Sequence, residues 1–81
     1  MDKETIGTIV DIIASIIGFE ARDILLEDDL GKDLGLEQEE LEDILSAIER
    51  EFQIIITEEE AHSMITVDNI VGCVEEKLDE G

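Results

Sequence analysis

The chain of 81 residues reads as one domain, 1–81, that buries only about 60 % of the surface its unfolded form exposes, which leaves little room for a deep active site. Against 5 basic residues stand 24 acidic ones, and the net charge of −19 repels nucleic acid phosphates and anionic membranes while favouring basic protein partners. A hydrophobic content of 43 %, mostly Ile, Leu and Val at helical spacing, excludes an acidic disordered tail and predicts a folded all-α protein weakened by its own charge.

The N-terminus lacks the basic, apolar, small-residue order of a leader, and Asp11 interrupts the longest apolar stretch well short of a spanning length. A soluble, cytoplasmic, monomeric protein without membrane insertion is expected. From Ile6, the residues Ile6, Ile9, Val10, Ile13, Ile16 and Ile17 fall at offsets 0, 3, 4, 7, 10 and 11, one face of an amphipathic helix over 3–17. Asp2 and Glu4 suit its positive end and Gly18 its stop. Residues 18–36 form a connection too long for a compact domain to leave unanchored. Phe19, Ile24, Leu25, Leu26, Leu30 and Leu34 are available to tuck under the helices, with a helical turn expected around Asp28 to Leu30.

A second helix is expected from about Glu37 to Phe52, with Leu41, Ile44, Leu45, Ile48 and Phe52 inward and a dense acidic face outward. The run 53–56 has no strand candidate to pair with and is taken as a buried connector. Thr57 with Glu60 makes a capping box for a short third helix to about Ser63. Thr66 caps a fourth, with Val67, Ile70, Val71, Val74 and Leu78 on one face. The fold expected is a four-helix bundle with a long first loop and a short third helix.

Metal and catalytic motifs fail. Counting back from Gly31 or Gly35 as the sixth position of a calcium loop puts Leu26 or Leu30 at the first ligand position. The single cysteine, Cys73, excludes an internal disulfide and a multi-cysteine cluster and reads as a small core side chain. The single histidine, His62, reads as a surface residue, and carboxylate pairs are too abundant to single one out. No metal and no enzyme activity is expected.

Several fragments then fall in a meaningful order. Asp33-Leu34-Gly35 is similar to a D-L-G lead-in, Ala47-Ile48-Glu49-Arg50-Glu51-Phe52 to A-L-E-E-E-F, Ile56-Thr57-Glu58-Glu59-Glu60-Ala61 to I-P-D-E-E-A, and Thr66-Val67 to the T-V that opens a last helix. From the first helix to about Val74 the chain resembles the acyl carrier protein family. The resemblance implies that a D-S-L motif should follow the lead-in, its serine receiving from coenzyme A a 4'-phosphopantetheine arm whose thiol carries acyl groups as thioesters. Here those positions read Glu37, Gln38 and Glu39.

Phosphopantetheinylation needs an oxygen nucleophile, and the Gln38 amide nitrogen has its lone pair delocalised into the carbonyl. Gln38 is therefore expected to stay unmodified, and no cofactor is expected. Glu39 stands where the family offers an apolar contact beside the arm. The serines lie elsewhere, at Ser15, Ser46 and Ser63; Ser46 is roughly 12 Å down the helix from Gln38.

Three functions compete. The first is a non-carrying relative that docks its acidic second helix, through Glu37, Glu39, Glu40, Glu42, Asp43 and Glu49, onto basic patches of partner proteins such as acyl-chain synthesis or transfer enzymes. The second is a genuine acyl carrier in fatty acid, polyketide or related synthesis, with Gln38 an engineered change or another site used. The third is a noncovalent fatty-acyl binding bundle lined by Ile44, Leu45, Ile48, Ile54, Met64 and Ile65, residues that core packing explains equally well.

Overall fold

Four helices and one short turn account for the architecture. The computed structural model describes residues 2 to 80, with α1 at Lys3–Ile17, a 3₁₀ turn at Ala21–Asp23, α2 at Gln38–Phe52, α3 at Glu58–His62 and α4 at Val67–Glu80. Asp2 caps α1 by accepting from the Glu4 amide at 3.0 Å. Its own amide donates to Glu75 of α4 at 2.8 Å, which ties the two helices at one end. At the other end Gly18 takes the left-handed conformation at φ 77 and donates its amide to Ala14.

α1 packs against α2 and α4, and the 3₁₀ turn against α1. Ile9, Ile13, Ile44, Ile48, Val67, Ile70, Val71 and Val74 are fully buried where the three long helices meet. Branched residues dominate this centre. In a helix their χ1 is nearly fixed, so they give up little rotamer freedom on packing. Among the described residues no helix is long and apolar enough to cross a membrane.

The loop before α2 is pinned as its length requires, although by different means from those expected. Ile24, Leu30 and Leu34 are buried, but Phe19 and Leu25 stay 42 % and 53 % exposed. The rest of the anchoring is polar. Leu30 donates its amide to the Ile65 carbonyl at 2.8 Å, and the Val67 and Asp68 amides donate to Asp28 and Leu26 at 3.1 and 2.9 Å, around an antiparallel bridge between Asp29 and Thr66. Asp28 and Asp29 are thus drawn into pairing with the α3–α4 linker, and a turn closed by the Asp33 amide on the Asp29 carbonyl at 2.9 Å follows at 30–33, so no helix forms there. The helical turn sits instead at Ala21–Asp23, where Glu20 accepts the Asp23 amide at 2.9 Å.

The connector 53–56 also departs from its expected burial. Among the described residues no strand forms beyond the isolated bridge. Ile54 and Ile56 are half-buried against the core while Ile55 between them is 76 % exposed. Extended backbone turns alternate side chains to opposite faces, and the middle one meets water. α3 then begins with the reciprocal capping box, Thr57 amide to Glu60 Oε1 at 2.9 Å and Glu60 amide to Thr57 Oγ1 at 3.2 Å.

Candidate functional site

The start of α2 is shaped by what precedes it. Leu34 is buried and Leu36 half-buried, and Gly35 between them sits at φ 66, a conformation that turns the chain and strains any residue with a Cβ. Leu36 donates to the Leu30 carbonyl at 2.9 Å. Glu37 is the N-cap in extended conformation, its amide held by Glu40 Oε1 at 3.0 Å. Gln38 is thereby the first helical residue. It is exposed, with its Nε2 3.5 Å from Glu42 Oε2, a long and weak contact.

Two concavities meet at Gln38. One, of about 380 Å³ between α2 and α3, is lined by Gln38, Leu41, Glu42, Leu45, Glu58, Ala61, His62 and Met64. The other, of about 260 Å³, lies between the start of α2 and the loops and is lined by Asp29, Leu30, Gly31, Leu36, Glu37, Gln38, Leu41, Met64 and Ile65. Gln38, Leu41 and Met64 belong to both, so Gln38 stands at the ridge between them. Leu41, Leu45, Ala61 and Met64 give the larger hollow an apolar floor, and Glu42 and Glu58 give it an acidic lining. No lysine or arginine among the described residues lines either hollow.

This arrangement offers shape and charge and lacks the parts of a reaction centre. His62 and Gln38 share a hollow without a nucleophile between them. Cys73 is half-buried on α4, its thiol pushed up by burial and by the nearby negative charge of Glu60, which makes it a poor thiolate. Among the described residues no group of three His, Cys, Asp or Glu side chains is placed to hold a metal ion.

A sequence model of the family described as phosphopantetheine attachment site matches residues 7–74. The chain is also similar to curated proteins named acyl carrier protein. That of Clostridium acetobutylicum is 31 % identical over 86 % of this chain and 91 % of its own length. That of Trieres chinensis is 31 % identical over 93 % of this chain and 94 % of its own, and that of Amoebophilus asiaticus 32 % over 89 % and 90 %. The chain belongs to the acyl carrier protein family. Acyl carrier proteins are carriers that work with synthesis enzymes and are not themselves enzymes, and the family's cofactor is 4'-phosphopantetheine.

Within this acyl carrier protein fold the acidic residues singled out in the sequence separate into groups. Glu37 and Glu42 border the hollows at Gln38. Glu39 and Asp43 are exposed. Glu40 and Glu49 are half-buried and already engaged, Glu40 with the Glu37 amide and Glu49 with the Ile56 amide at 2.8 Å, where it holds the connector to α2. Of the aliphatic residues considered for an acyl space, Ile44 and Ile48 are wholly within the core, Ile54 is half-buried, Ile65 is 60 % exposed, and Leu45, Met64 and Ile65 line the hollows at Gln38. Sequence reasoning missed Glu58, which α3 brings to the hollow beside Gln38 from twenty positions downstream; the acidic opening of that short helix was its only signal.

Proposed function

We propose that this acyl carrier protein relative bears no arm at Gln38 and acts as a monomer by docking the acidic start of α2 onto basic patches of acyl-chain synthesis or transfer enzymes. The observation that carries the reading is the residue at the exposed first position of α2: a carboxamide, not a hydroxyl. A covalent arm does not fit the side chains present. Gln38 offers no hydroxyl oxygen to attack phosphorus, and its amide nitrogen has its lone pair delocalised into the carbonyl.

The same charges favour a cationic partner. Glu37, Glu39, Glu42 and Asp43 are exposed and lend their charge to steering one, while Glu40 and Glu49 add charge from positions fixed by their backbone contacts. Leu41 and Met64 supply apolar surface beside them.

The test is intact mass after incubation with coenzyme A and a broad-specificity phosphopantetheinyl transferase, on this chain and on Gln38→Ser. The expected result is that only the variant gains the mass of the arm. Gain by the unaltered chain overturns the reading and restores the genuine carrier, with its attachment residue then mapped by peptide fragmentation. The docking half is checked by affinity for a basic-patched carrier-dependent enzyme. It should fall steeply with added salt and on Glu42→Lys, and affinity indifferent to both would remove it.

A further inference from the structure

The second flank of α2 carries a different surface. Ala47 follows Gln38 by nine residues, two and a half turns, which places it about 180° round the helix. There α2 faces α1 across a shallow groove of about 400 Å³ with Ile12, Ile16 and Ala47 as its apolar lining, Ser15 beside them, and the exposed acids Asp11 on α1 and Glu51 on α2. No lysine or arginine among the described residues lines it, and it shares no lining residue with either hollow at Gln38.

We infer that this groove is a second docking surface, and that its occupant is a basic amphipathic helix of a partner protein. Aliphatic side chains of that helix meet Ile12, Ile16 and Ala47, and lysines or arginines at its margins meet Asp11 and Glu51. Ser15 and Ala47 are short enough to let another backbone come close. A second copy of this chain is the wrong occupant, because it would bring a net charge of −19 against an equal charge, and an anionic membrane or nucleic acid fails for the same reason. Since the two flanks of α2 point apart, a partner in this groove leaves the Gln38 flank open, and the protein can bridge two partners. The inference does not depend on whether Gln38 carries an arm.

The probe is a short Leu/Lys peptide with amphipathic helical spacing, titrated into the ¹⁵N-labelled full chain, beside a control peptide in which every Leu is Ser. The Leu/Lys peptide is expected to shift the amides of Ile12, Ser15 and Ala47, and the Ser/Lys control to leave them in place. Ser15→Arg, at an exposed helical position that keeps the fold, should weaken binding by about tenfold by blocking the groove. Glu58→Lys, on the other flank, should leave affinity within about twofold although it removes more negative charge, because Glu58 lies outside the groove and salt screens its charge there. Equal binding by the two peptides, shifts centred on Gln38 and Glu58, a larger loss from Glu58→Lys than from Ser15→Arg, or no binding by the Leu/Lys peptide each overturns the inference.

Discussion

Two residues end helices in the left-handed region, Gly18 at φ 77 after α1 and Gln53 at φ 55 after α2, and only one of them is glycine. A residue with a Cβ costs about 1–2 kcal/mol there, so Gly18→Ala should lose about that much stability in urea unfolding, although its Cβ would meet nothing within 4 Å beyond its own chain neighbours. Gln53→Gly should gain about 1 kcal/mol, less what the unfolded chain regains in freedom. Equal effects of the same sign would mean that these caps are not what limits the helix ends. Other residues do work that composition hid. Asp28, Asp29 and Asp33 look in sequence like a diffuse acidic loop, yet each accepts from a backbone amide: Leu25 at 2.9 Å, Gly31 and Lys32 at 2.9 and 2.8 Å, and Asp29 at 2.7 Å respectively. Side-chain turns of this kind depend on neighbours in space, and residue counts cannot show them.

At the scale of elements, the α3–α4 linker is the part on which most else leans. Asn69 Oδ1 accepts from the Ile65 and Thr66 amides at 2.9 and 3.0 Å, and Thr66 Oγ1 accepts the Asn69 amide at 3.2 Å. This shapes the backbone that pairs with the long loop. Asn69→Ala should therefore loosen a segment forty residues away, with faster hydrogen exchange at the Leu30 and Val67 amides and little change at Ile13. Exchange rising uniformly would instead mean global destabilisation. α3, one turn long, is held by Glu60, whose Oε1 receives the Thr57 amide at 2.9 Å and lies 2.9 Å from Lys77 Nζ of α4. The Thr57 amide, then Lys77, holds the Glu60 carboxyl below its usual value. A carboxyl lowered on folding adds stability that is present above its unfolded value, near 4.5, and is lost as pH falls through the folded one. Glu60→Gln should hence be less stable than the unaltered chain at neutral pH, with the gap closing in acid below that value; a gap independent of pH would remove the assignment.

The whole molecule confines a net charge of −19 within a radius of gyration of 11.4 Å. Screening over about 10 Å needs only ~0.1 M salt, so like charges across the bundle interact strongly below that and weakly above. The melting temperature should rise as salt is raised from a few millimolar through the physiological range and then level off. The few ion pairs involved, such as the exposed Arg22–Glu20 pair at 2.8 Å, lose little by the same screening. A melting temperature that falls with salt would show that ion pairs outweigh repulsion. The acidity that weakens the bundle also discourages self-association, and on the docking proposed above it would steer basic partners toward α2.

By itself the sequence determined the helices, because a burial period of 3.6 residues and the capping residues Asp2, Gly18, Thr57 and Thr66 are local properties, and α1 at Lys3–Ile17 matches its expected span. It also determined family resemblance and the chemical identity of Gln38, which no packing can change. Only the tertiary structure decided what each acid faces. Glu49 turned to the Ile56 amide seven positions on, Glu42 and Glu58 met at one hollow across sixteen positions, and Asp11 and Glu51 met at another across forty. Charge and period say that a helix face is solvated; which neighbouring helix completes that face depends on contacts distant in the chain, and those are set by the packing of the core.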